Sequence, residues 1–150
     1  MTDKLPAMTL KAIGFVRNEI KERGHRDYAK VVSDVVIDSS LAAALDGLEE
    51  SSHIIVIYWM HQAASGKLPL KTHPMGKGEL PLVGLFATRS PNRPNPVGKT
   101  TVRLLQRQDN ILRVEGLDAI DGTPVIDIKP YIPAHDSATD AKVLKWITNQ

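Results

Sequence analysis

The sequence predicts one mainly β domain. Short β-branched or alternating apolar runs recur along the chain, and Gly, Pro, Asn and Asp turn signals separate them. Strands do not alternate with helices as a parallel sheet requires. The 150 residues are 42% hydrophobic and 24% charged, a globular balance with length enough for one core. No internal repeat or Gly/Ser linker divides them. Residues 1–150 are therefore expected to form a single domain with its core at about 9–133.

Thr9 to Arg17 reads as the first strand, with Gly14 marking a bulge or a close backbone approach. Residues 18–28 are polar and read as a long loop. In Ala29 to Asp38, Val31, Ser33, Val35 and Ile37 share one face, while Val32, Asp34, Val36 and Asp38 share the other. Ser39 or Ser40 then caps a short helix whose Leu41, Leu45 and Leu48 align at i, i+4 and i+7. His53 to His61 is continuous, β-branched and aromatic, as a strand buried on both faces is. Gln62 to Pro81 holds three Gly and three Pro and reads as a long loop, a kind of segment that is usually functional or disordered in compact domains.

Leu82 to Thr88 reads as a strand and residues 89–98 as a proline-punctuated loop. From Lys99 to Arg107, Thr100, Val102 and Leu104 point one way and Lys99, Arg103 and Arg107 the other. The Asp109-Asn110 pair predicts a hairpin into Ile111 to Leu117. Asp121-Gly122 is a second turn, before the strand Pro124 to Ile128. One short helix is expected around Lys142 to Ile147.

Composition excludes several chemistries. With no cysteine, disulfides, thiolate nucleophiles and Cys-ligated metals are ruled out. The five histidines show no metal-ligand spacing, no G-x-G-x-x-G follows a strand, Gly76-Lys77-Gly78 lacks the flanks of a P-loop, and no G-x-S-x-G elbow occurs. No metal is expected. The longest apolar run, Ile54 to Met60, is too short to span a bilayer, and the first residues lack a signal-peptide core. These features predict a soluble, cytoplasmic protein without a membrane partner.

The net charge is only +2, yet no acidic residue lies between Glu79 and Asp109, where Arg89, Arg93, Lys99, Arg103 and Arg107 fall. Such a local field attracts phosphate or another anion, or else it is a solvated basic face. Pro91, Pro94 and Pro96 stiffen the segment Phe86 to Gly98 (FATRSPNRPNPVG), which offers little internal hydrogen bonding. It presents the guanidinium forks of Arg89 and Arg93 and the amides of Asn92 and Asn95. Stiffness lowers the entropy lost when donors grip a ligand, and Arg forks suit carboxylates, phosphates and adenine faces. In a second polar cluster, Asp118 to Tyr131, the Asp121–Pro124 turn offers backbone amides and a hydroxyl. Asp127, Lys129 and Tyr131 alternate on one side, either for acid–base chemistry or as a solvated strand face.

These segments resemble the TrmO (TsaA-like) family of SAM-dependent tRNA N6-methyltransferases. FATRSPNRPNPVG is similar to the family's F-A/S-T-R-S-x-x-R-P-N-P-I-G segment. LDAIDGTPVIDIKPY (Leu117 to Tyr131) is similar to its LD-x-x-DGTP-x-x-DIKPY motif. Leu48-Glu-Glu-Ser-Ser-His53 leading into a strand that ends at His61-Gln62 resembles a third motif, and Ala12 to Arg17 resembles the opening. The matches run in order from about residue 10 to 133.

The resemblance implies a single-sheeted β-barrel and a homodimer whose interface helps form the S-adenosyl-L-methionine (SAM) site. The implied activity is methylation at N6 of threonylcarbamoyladenosine beside the anticodon of threonine tRNA. It carries cofactor contacts onto His61, Gln62, Arg89, a position near Thr101, and the turn Asp121, Gly122, Thr123 and Pro124. For the tRNA, Arg93, Asn95, Lys99, Arg103 and Arg107 are the candidates; for proton transfer, Asp127 and Tyr131. Other members carry a Gln-Pro-Gly element in the loop before the second strand, where this chain reads His25-Arg-Asp-Tyr-Ala-Lys30. Bacterial members continue into a C-terminal domain, and no counterpart is expected within these residues. Alternatives are a SAM-dependent methyltransferase of another nucleoside or small molecule, and a non-catalytic SAM- or nucleotide-binding module.

Overall fold

The computed structural model describes residues 4–24, 26–64 and 66–148. Its strands are β1 (Gly14–Arg17), β2 (Val32–Ile37), β3 (His53–Trp59), β4 (Lys71–Thr72), β5 (Val83–Gly84), β6 (Val97–Gln108), β7 (Ile111–Glu115) and β8 (Pro124–Pro130). Six of them close into an antiparallel barrel in the order β1-β2-β7-β6-β3-β8, while β4 and β5 pair in a separate ribbon. Closure removes free sheet edges, and it fits the fold the motifs imply.

The inward face follows the alternation of the sequence. Val16, Val35, Ile54, Val56, Leu112, Val114 and Val125 are fully shielded from solvent, each contributing about 2 kcal/mol through burial. Ser33, also buried, accepts a hydrogen bond from the Asn18 amide at 2.9 Å, so its polar atom is satisfied. Strand β3 pairs with both β6 and β8, and its outward Ile55 is 5% exposed, consistent with a strand covered on both faces. The hairpin turn falls at Asp109-Asn110, with Asp109 at φ 55°. Gly14 makes a close approach rather than a bulge. It pairs in register with Ile37 and Val125, and an added Cβ would overlap the Val36 carbonyl oxygen.

Several local expectations are corrected. The leucine segment forms two 3₁₀ turns, Ser39–Leu45 and Leu48–Glu50, split by Gly47 at φ 91°. Asp38 rather than a serine caps the first, accepting from the Ser40 amide at 2.9 Å. The strand expected over 82–88 shrinks to Val83–Gly84 because Leu85–Ala87 curls into a 3₁₀ turn. The Thr88 hydroxyl locks that turn by donating to the Leu85 carbonyl at 2.7 Å. The tail carries two short helices, α1 (Pro133–Asp136) and α2 (Lys145–Thr148). Among the described residues, no helix is long and apolar enough to cross a membrane.

One correction reaches the expected basic face. The β6–β7 register shifts between Leu104 and Gln106, and an extra residue reverses the side taken by everything after it. Arg107 therefore turns away from Lys99 and Arg103 and stands opposite Leu112. Its guanidinium contacts Asp46 at 2.8 Å and Glu49 at 3.5 Å, and donates to the Ala42 carbonyl at 3.0 Å.

Candidate active site

A cavity of about 800 Å³ opens where β3 ends and β6 and β8 begin. Each wall comes from a different segment. The end of β3 and its exit supply Tyr58, Met60, His61 and Gln62; the proline-rich loop supplies Thr88, Arg89, Pro91 and Arg93; the start of β6 supplies Gly98 and Lys99. The segment after β7 adds Asp118, Ala119, Ile120 and Thr123, and the loop after β1 adds Arg23, Gly24 and Tyr28. Four cationic side chains thus face one carboxylate, which favours an anionic ligand group.

The register between β3 and β6 shapes the floor. Tyr58 stands opposite Gly98, and a Cβ on Gly98 would overlap the tyrosine ring. The absence of a side chain there admits the ring into the barrel mouth. The Tyr58 hydroxyl hydrogen-bonds the Thr100 hydroxyl at 2.8 Å and donates to the Asp118 carbonyl at 2.8 Å. Burial, chiefly, pushes its pKa up to about 12, so the phenol stays neutral and remains a donor.

The proline-rich loop is stiff, but it is more internally bonded than its prolines suggest. The Arg93 guanidinium donates to the Thr88 carbonyl at 2.9 Å and the Ser90 carbonyl at 3.1 Å, and the Arg93 amide to the Pro91 carbonyl at 3.0 Å. The Asn92 side chain accepts from the Ala64 amide at 3.0 Å, and Arg23 donates to the Gln62 carbonyl at 2.6 Å. The His61-Gln62 segment is therefore tied to two other walls.

Of the residues picked from the sequence, His61, Gln62, Arg89, Arg93, Lys99 and Thr123 line this cavity. Gly122 lies beside it, since a Cβ there would come 4.0 Å from His61 Nε2. Asp121 instead anchors the loop after β1, accepting from the Asn18 amide at 2.9 Å and pairing with Lys21 at 2.9 Å. The Lys21 contact, then the Asn18 amide, hold its carboxyl below the ordinary range. Pro124 pairs with Phe15, and Thr101 sits outward opposite Ile55; neither lines the cavity, nor do Asn95, Arg103 and Arg107.

Asp127 and Tyr131 also lie elsewhere. Asp127 borders a second hollow beside Leu41, Leu45 and Ile128. Its carboxylate accepts from the Ile128 amide at 2.8 Å and pairs with Lys129 at 3.2 Å. The Tyr131 ring meets His53 edge-on at 6.4 Å. Among the described residues, no group of three or more His, Cys, Asp or Glu is placed to hold a metal ion. His25 lies outside the described residues.

The cavity adds residues that the sequence did not single out: Arg23, Tyr28, Tyr58 and Asp118. Asp118 is the most informative. Its carboxylate has no hydrogen-bond or ion-pair partner among the described residues, and the residue is exposed on the wall of this open cavity. The protein around it desolvates the charge and raises its pKa. Tyr28 is raised too, by burial first and by the Asp118 charge second. A carboxylate without a partner in a ligand-sized cavity is an unused acceptor.

A small closed antiparallel barrel with a cation-rich cavity at its mouth is a ligand-binding barrel, distinct from doubly wound nucleotide-binding sheets. The family model for the tRNA-methyltransferase O N-terminal domain matches residues 22–137, and the chain belongs to this family. An S-adenosyl-L-methionine-binding protein of Archaeoglobus fulgidus is 41% identical over 133 residues, covering 86% of this chain and 93% of that protein. The tRNA (adenine(37)-N6)-methyltransferase of Escherichia coli K12 is 34% identical over 148 residues, covering 91% of this chain and 63% of that protein. The crystal structure of TrmO from Pseudomonas aeruginosa has a TM-score of 0.73 at 29% identity, covering 95% of this chain and 62% of that one. The chain thus spans under two thirds of the longer relatives, and as little as 37% of another archaeal one.

Proposed function

We propose that this chain is a SAM-dependent methyltransferase that modifies N6 of an adenine in tRNA, with threonylcarbamoyladenosine beside the anticodon of threonine tRNA as its acceptor. The observation that carries the proposal is convergence: the His61-Gln62 pair and Arg89, from two separate motifs, line one cavity together with Asp118. The Archaeoglobus and E. coli relatives support it by the ligand and reaction their names state.

The cavity suits SAM by size and by donor set. About 800 Å³ lies within the range of small-molecule sites. Guanidinium forks match the methionyl carboxylate, while Met60, Ile120 and the Arg89 plane offer faces for an adenine ring. When bound, SAM supplies an electrophilic methyl group on a sulfonium. The protein's part is to hold donor and acceptor in line, so positioning carries much of the catalysis. The carbamoylated N6 is amide-like and must lose its proton, for which the Asp118 carboxylate is the acceptor in the cavity. Tyr58 fixes the Asp118 peptide through its carbonyl. Lys99 at the cavity, with Arg103 farther along β6, holds RNA phosphates. The homodimer that the resemblance implies is part of the same proposal.

Calorimetric titration with SAM tests the cofactor assignment. Wild type is expected to bind stoichiometrically. Arg89→Ala is expected to weaken binding by about 10- to 100-fold, the scale of one lost charged hydrogen bond. Wild-type protein that binds no SAM would contradict the reading.

A further inference from the structure

Beside the cavity, an aromatic ring is held bare on a rigid turn. Phe86 is 80% exposed, while its neighbours Leu85 and Thr88 are both 7% exposed. The turn beneath it is tied down at three points. The Leu85 amide donates to the Leu70 carbonyl at 3.0 Å, the Thr88 amide to the Leu85 carbonyl at 3.0 Å, and the Trp146 indole to the Ala87 carbonyl at 3.1 Å. A lone exposed apolar side chain needs no explanation, but this one has company. The Arg93 guanidinium carbon lies 5.8 Å from the ring centroid. That guanidinium is oriented by the Thr88 and Ser90 carbonyls and meets no carboxylate among the described residues. Arg93 also lines the cavity, so ring and cavity share a rim.

We propose that Phe86 and Arg93 form a stacking shelf for an unpaired nucleobase of the RNA, next to the base whose N6 enters the cavity. The proposal rests on the reading of the chain as a tRNA methyltransferase. Its chemistry is that of single-stranded RNA recognition, in which splayed bases stack on aromatic rings and guanidinium planes while cations take the phosphates. Charge complementarity selects this occupant. The stretch from Leu80 to Gln108 holds no acidic residue, and with Arg107 turned away onto Asp46 and Glu49, Arg89, Arg93, Lys99 and Arg103 leave a field that attracts a polyanion rather than an acid-rimmed protein patch. An acceptor adenine must leave its stack to reach a cavity, and its neighbour then needs a replacement surface. The shelf supplies that surface from a turn already ordered, which limits the entropy lost on binding.

The test uses an anticodon stem-loop carrying 2-aminopurine beside the acceptor adenosine, whose fluorescence falls on stacking. Wild type is expected to quench it. Phe86→Ala is expected to lose the quench and weaken RNA binding by about 5- to 100-fold, with SAM affinity unchanged, and Phe86→Tyr to retain both. Unaltered quenching and affinity in Phe86→Ala would overturn the shelf. So would a change of oligomeric state in that variant, seen by sedimentation, because the ring would then cover a protein contact. If the wild type neither binds the stem-loop nor methylates it, the tRNA reading itself fails; loss of the quench signal alone leaves that reading standing.

Discussion

Asp118→Asn lowers methyl transfer by about 10²- to 10⁴-fold, the usual contribution of a positioned proton acceptor, while SAM affinity stays near wild type. Asparagine keeps the shape and the peptide that Tyr58 holds by its hydroxyl, but it has no basic oxygen. The residue it replaces lines the cavity, and its carboxylate has no partner among the described residues. The pH profile supplies the signature. Asp118 stays exposed, yet nearby protein atoms partly desolvate its carboxylate and raise its pKa above the ordinary 3.8, and the deprotonated form is the active one. The rate therefore rises with pH through an acidic limb displaced upward from the ordinary carboxylate value, and this limb disappears in Asp118→Asn. Asp127→Asn and Tyr131→Phe serve as controls and keep turnover, since neither side chain lines the cavity. If those two abolish transfer and Asp118→Asn does not, the proton goes elsewhere.

Gly98→Ala is expected to damage fold and site together. Its Cβ would overlap the Tyr58 ring, which cannot yield without breaking its bonds to Thr100 and to the Asp118 carbonyl. Overpacking of this kind costs about 1–3 kcal/mol of stability, read as a lower urea midpoint. The displaced ring also unseats the cavity floor, so SAM affinity falls as well. Gly78→Ala is the matched control: a Cβ there meets nothing within 4 Å, and both readouts stay unchanged. A Gly98→Ala protein with wild-type stability and affinity would mean that the ring has freedom to move.

The sequence made the barrel's parts legible wherever periodicity was strong. Ser33, Val35 and Ile37 alternate inward as read, and Asp109-Asn110 turns the hairpin between β6 and β7. It did not reveal pairings made across distance. The Tyr58–Gly98 contact depends on a register that neither strand states alone. The Leu105 bulge reversed Arg107 because one unpaired residue undoes an alternation that looks continuous in sequence. The same limit governs the site. Arg89 and Arg93 stood out as charges on a proline-stiffened loop, and His61-Gln62 by motif. Asp118 sat in plain view one residue after a buried leucine, yet only the fold shows that it lines the cavity while Asp121 is spent on Asn18 and Lys21.

The most direct test of methyl transfer to tRNA is mass spectrometry of nucleosides from threonine tRNA incubated with the protein and SAM. A methyltransferase acting on this acceptor yields a threonylcarbamoyladenosine nucleoside heavier by one methyl substitution at N6, and no product from tRNA lacking the threonylcarbamoyl group. Tight SAM binding with no methylated nucleoside in either tRNA would contradict it and mark the barrel as a binding module.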